Sequence, residues 1–184
     1  MLYGGALAVL VRAGLGLDPW NVLHQGISRH TGLSLGTVTV LGSLVVLAAF
    51  VPLRQRAGLG TLANALLVGP VLDAALTVVP PAHALPTRLA YLTVAVVGVA
   101  VATGLYVGAG YGPGPRDGLM TGLANRGIPL YAGRAAIEIS VLTAGWLLGG
   151  SVGPTTIVFA AVIGPLVNLT LPRLTVAALP ETHQ

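Results

Sequence analysis

The 184 residues are 54% hydrophobic and 8% charged, with a mean hydropathy of +0.87. A soluble domain carries about 25% charged residues, so this chain lacks the polar surface to cover itself in water. The net charge of +4 comes entirely from Arg, scattered singly or in one short pair, which excludes a nucleic-acid-binding stripe. The absence of Cys excludes disulfides, thiolate metal sites and thiol catalysis.

Apolar runs of membrane-crossing character follow one another along the chain. The first, Leu2–Gly14, has Arg12 inside it and no basic leader, so it does not read as a cleavable signal. It would reach only about 20 Å at 1.5 Å per residue. Either neighbours bury it, or roughly ten further residues are expected upstream, and the internal repeat described below favours the second.

Gly16–His30 follows as a short mixed segment, with Asp18 placed as an N-cap and Pro19 at the first helical position. A helix of about three turns is expected there, too short to cross a membrane. Full spans are then predicted over Leu35–Leu53, Leu59–Val79 and Leu89–Ala109, separated by Arg54-Gln55-Arg56 and by Pro80-Pro81 with Pro86. A second short segment occupies Gly112–Arg126, where Gly114-Pro115-Arg116-Asp117 offers another helix start. The last two spans are Leu130–Leu148 and Val152–Leu171, followed by a tail over 173–184. Helix breaks are expected at Gly16, Pro19, Gly69, Pro70, Gly112, Gly114, Pro115, Gly164 and Pro165.

The chain reads as two copies of one unit, 1–79 and 89–172, within a single membrane domain. Gly14–Leu23 lies over Gly110–Leu119, Gly26 over Gly122, and Gly36 near Gly133. Gly58 falls on Gly153, Gly69-Pro70 on Gly164-Pro165, and Asp73 on Asn168. Each copy holds three full spans and one half-helix, so the second enters the membrane from the opposite side. The expected fold is therefore all-α, about six spans in two inverted repeats. The Arg54/Arg56 loop, Arg116, Arg126, Arg173 and both chain ends fall on the cytoplasmic side; Arg29 and Arg88 dissent from this positive-inside pattern.

These residues resemble the YczE-like bacterial membrane proteins of the YczE/YyaS/YitT grouping. Arg12–Gly26, Leu53–Gly69, Gly104–Gly122, Arg134–Glu138 and Gly164-Pro165 carry the resemblance, with Gly114–Met120 its more specific stretch. It implies a multi-pass protein of the bacterial cytoplasmic membrane, and it brings no established substrate.

Ionisable side chains inside spans are costly and either pair or mark a pathway. Arg134 and Glu138 share a helix face at i, i+4 and can neutralise one another, or Glu138 can carry a proton or cation; Asp73, beside Gly69-Pro70, is the other coupling candidate. The half-helix starts, with Arg12, Asp18, Trp20, Asn21, Arg116 and Asp117, are the candidate substrate site. Against that, Asp18 and Asp117 can satisfy the free N–H groups themselves. Tyr106, Tyr111 and Tyr131 read as interfacial aromatics, and His24 and His30 lack a metal-ligand pattern. No cofactor motif or enzyme constellation is legible.

Two functions stand open. One is a small secondary transporter or exporter of an anionic or zwitterionic solute, bound between the repeats. The other is a non-transporting accessory protein acting through a protein partner. The lipid bilayer is the expected environment, and a homodimer is compatible with so few spans.

Overall fold

The computed structural model describes residues 1–174, and these form eight α-helices and no strand. They are α1 (Leu2–Ala13), α2 (Pro19–Thr31), α3 (Leu35–Leu53), α4 (Leu59–Val78), α5 (Leu85–Gly108), α6 (Pro115–Ala124), α7 (Leu130–Leu147) and α8 (Pro154–Leu174). Three of them, α3, α4 and α5, are long and apolar enough to cross a membrane. Of the expected tail 173–184, residues 173 and 174 still belong to α8, and 175–184 lie outside the described residues.

Local chemistry sets the helix starts. The Asp18 carboxylate accepts from the Asn21 N–H while Pro19 occupies the first turn of α2, and the Ser34 hydroxyl does the same for Thr37 at the start of α3. Pro86 does not separate elements: it sits in the first turn of α5, which therefore begins at Leu85 rather than Leu89.

The expected breaks at Gly69-Pro70 and Gly164-Pro165 are overturned, because α4 and α8 run through both. A proline deletes one backbone hydrogen bond and bends a helix without necessarily ending it, and membrane helices tolerate this better than soluble ones. Gly69 instead serves close packing, since a side chain there would collide with the Gly36 carbonyl.

The main core forms around α1. Leu7, Ala8 and Leu10 are buried against Val68 and Leu72 of α4, Val96 and Val99 of α5, and Phe159 and Ile163 of α8. The shortness of α1 is thus matched by neighbours that cover it. Gly98 of α5 accommodates this packing, because a methyl there would stand 3.0 Å from Ala6 Cβ.

Contacts between the two halves come in matched pairs. The Thr61 hydroxyl at the start of α4 donates to Pro113 O, and the Thr156 hydroxyl at the start of α8 donates to Leu17 O, both at 2.7 Å. Gly60 N–H donates to Tyr111 O at 2.9 Å, and Thr155 N–H donates to Leu15 O at 3.1 Å. Arg126 donates to Pro52 O at the end of α3, and Arg29 to Gly149 O after α7. In every pair the partners occupy aligned positions of the two copies, and each bond joins one copy to the other.

Gly16 and Gly112 make this exchange possible. Both take left-handed backbone (φ 98° and 102°), and a side chain on either would run into Gly153 or into Gly58 and Thr61. Arg29 and Arg88, the dissenters from the charge pattern, are consumed locally. Arg29 caps the end of α7, and Arg88 donates to Ala13 O and Gly14 O at the end of α1.

Candidate functional site

A cavity of about 460 Å³ lies between the halves, within the size range of small-molecule sites. The starts of α2 and α6 contribute Asp18, Trp20, Arg116 and Asp117, and α5 contributes Thr103 and Tyr106. Thr39 and Ser43 come from α3, Asn64 and Val68 from α4, Arg134 and Glu138 from α7, and Phe159, Ile163 and Asn168 from α8.

Asp18 is 2% exposed, and its carboxylate is held from both copies. It caps α2, accepts from Asn21 Nδ2 at 2.5 Å, and pairs with Arg116 Nη1 at 3.2 Å. The Arg116 guanidinium also lies over the Trp20 ring, 5.1 Å from its centroid. Pro19 and Pro115 fix the two helix starts, so an ion pair between residues far apart in sequence is placed by two rigid N-termini.

Asp117 differs. Among the described residues its one hydrogen bond comes from the Tyr106 hydroxyl at 2.7 Å, and no guanidinium lies within ion-pair distance. On the α7 wall, Arg134 Nε donates to Glu138 Oε1 at 2.9 Å. This is the i, i+4 pair expected from spacing, and both side chains line the cavity.

Of the expected substrate-site residues, Asp18, Trp20, Arg116 and Asp117 meet at the cavity, and Arg12 and Asn21 do not line it. Arg12 donates to Leu76 O of α4, and Asn21 is buried beneath Asp18. Asp73 is also elsewhere. It accepts from Ser34 Oγ at 2.5 Å and from Gly36 N–H at 2.8 Å, which ties the end of α4 to the start of α3. Tyr106 is the site residue whose place differs from the sequence expectation. It was expected in an interfacial belt, and its hydroxyl faces Asp117 inside the protein because α5 packs inward there. His24 is buried, with Nδ1 3.2 Å from the Thr39 hydroxyl.

The aligned helix pairs α3–α4 and α7–α8 are packed differently. Gly36 and Gly69 touch backbone to backbone, and Asp73 secures that contact. At the matching positions, a methyl on Gly133 would come no nearer than 3.5 Å to any atom of the described residues, with Ile128 and Leu123 the nearest, and one on Gly164 would meet nothing within 4 Å among them. The cavity reaches the surface there. Asn168, which aligns with Asp73, lines it, and Tyr131 at its edge is 79% exposed.

Residues 1–172 match a family described as a family of unknown function, DUF6198. The chain is 38% identical over 164 residues to an uncharacterized protein of Haemophilus influenzae, covering 89% of this chain and 75% of the relative. It is 31% identical over 176 residues to the uncharacterized membrane protein YczE of Bacillus subtilis, covering 94% of this chain and 81% of that one. No solved structure matches.

Proposed function

The chain belongs to DUF6198, a YczE-like family of unknown function, and we propose that it is a small secondary transporter or exporter of an anionic or zwitterionic solute. It is a multi-pass protein of the bacterial cytoplasmic membrane with about six spans in two inverted repeats and both termini cytoplasmic. The matched contacts support a two-fold repeat, since duplicated halves related by a pseudo-two-fold axis exchange the same hydrogen bonds; its inverted sense rests on the odd number of spans per half and on the Arg distribution.

One observation carries the transport reading: equivalent helix pairs are closed in one copy and parted in the other, with the cavity between them. Two arrangements of one packing motif are the two ends of an alternating-access cycle. The positive-inside topology places Ser34, Gly36 and Asp73 towards the outside, so this arrangement is the inward-open one. In the other, Gly133 closes on Gly164 while Gly36 leaves Gly69.

The absence of native Cys makes the test direct. Single cysteines at Ser43 and Ala160 would be treated with a membrane-impermeant thiol reagent, in cells and in inverted vesicles. Both should label from both sides. Labelling from the cytoplasmic side alone would remove alternating access and favour the accessory-protein reading.

Glu138 faces the cavity from α7 and is the coupling group in this reading. Glu138→Gln should abolish proton-driven flux in proteoliposomes and leave membrane insertion intact. The Gln keeps the shape and a hydrogen-bond acceptor for Arg134 but gives up the titrating oxygen. Flux at the wild-type rate would take Glu138 out of the mechanism.

A further inference from the structure

We infer that the cavity takes a zwitterion, with a carboxylate on Arg116 and an ammonium group on Asp117; this rests on the reading of the cavity as a substrate site. The argument is an account of charge and of hydrogen-bonding capacity. The cavity wall carries the carboxylates of Asp18, Asp117 and Glu138 against the guanidiniums of Arg116 and Arg134. Asp18 is spent on Arg116, and Glu138 on Arg134. Asp117 is left with a tyrosine hydroxyl alone. Asp117 is half-buried on the cavity wall and no cation among the described residues pairs with it, so an ammonium group entering the cavity would supply both a counter-charge and further donors.

Arg116 supplies the complementary half. Among the described residues it makes one hydrogen bond, from Nη1 to Asp18, out of the five donors a guanidinium carries. Its side chain is 21% exposed, and it lines the cavity directly beside Asp117 on the same turn of α6. The Trp20 ring and the Asp18 carboxylate hold the guanidinium in place, so its remaining fork is preorganised for a second carboxylate. Neighbouring opposite charges with unspent capacity on both match a small molecule bearing both charges a few ångströms apart, as an α-amino acid does. A plain anion would satisfy Arg116 and repel Asp117.

The test needs no transport. The full chain, purified in detergent, would be screened by thermal unfolding against the twenty common amino acids. The strongest stabiliser would then be compared with its decarboxylated amine and its deaminated acid by calorimetric titration. At least one amino acid should bind, and its amine and acid should each bind on the order of tenfold weaker or worse. Asp117→Asn should weaken the amino acid on the order of 30-fold, while the deaminated acid, relieved of the Asp117 charge, should bind no more weakly than to the wild type. The inference is overturned if no amino acid binds, if the acid binds as tightly as the amino acid, or if Asp117→Asn has no effect. Should Asp117→Asn fail to fold, the wild-type comparison of the three ligands decides alone. Amino-acid binding without flux in proteoliposomes would leave this site standing and sink the transport reading. Flux of a different solute would do the reverse.

Discussion

Gly36→Ala should drive the protein out of its present arrangement and expose the α3–α4 mouth. The methyl group would point at the Gly69 carbonyl and at the Asp73 carboxylate, so it meets backbone on a helix that cannot yield like a flexible side chain. Overpacking of this kind costs about 1–3 kcal/mol. The cost falls only on the state in which Gly36 and Gly69 touch, so it shifts the two-state equilibrium by roughly 5- to 150-fold. The readout is the rate at which a cysteine at Ser43 reacts with impermeant reagent from outside, which should rise by that order. Gly133→Ala is the matching control. Its methyl would stand 3.5 Å from Ile128, an ordinary contact, so the present state should tolerate it. It should slow external labelling by penalising the opposite closure. Equal effects of the two substitutions would mean that the asymmetry has no mechanical role.

Asp18→Ala is expected to be the most destabilising single change at the cavity. Three roles end at once: the ion pair to Arg116, the cap on α2, and the acceptor for Asn21 Nδ2. Removing one partner of a buried pair costs about 3–5 kcal/mol because the other charge is stranded. Loss of the cap adds about 1 kcal/mol. Arg116→Ala should cost less, since Asp18 keeps its cap and its Asn21 contact. The double variant Asp18→Asn with Arg116→Gln should recover much of the loss by retaining hydrogen bonds without charge. Chemical unfolding in detergent would measure all of these. A cost for Asp18→Ala below about 1 kcal/mol, the range of exposed pairs, would show that the pair is solvated rather than structural.

These predictions rest on features of unequal legibility in the sequence. The half-helices could be read because their starts are local: Asp18 caps within its own first turn, and Pro19 and Pro115 need no distant partner. The Arg134–Glu138 pair was legible for the same reason, being one helical turn apart. Asp73 was not. Its partners Ser34 and Gly36 lie on another helix, and nothing in the Asp73 neighbourhood announces them. Tyr106 was misassigned because a tyrosine near the end of an apolar run fits an interfacial belt equally well. Only the tertiary packing brings its hydroxyl to Asp117.

The sequence by itself determined that the chain is a helical membrane protein, roughly where most of its helices lie, and which motifs of its two halves resemble one another. Those properties follow from one-dimensional quantities: the transfer free energy of each apolar run, the local cost of Gly and Pro, and the spacing of matched motifs. The tertiary structure decided which charges meet, which glycines touch, and which of two equivalent helix pairs is closed. Such pairings depend on how helices rotate and approach one another, which is settled by many small packing terms. Two closures of one repeated motif differ by only a few kcal/mol. A sequence that writes the two glycine pairs alike therefore cannot say which pair touches; the structure packs Gly36 on Gly69 and leaves Gly133 and Gly164 apart.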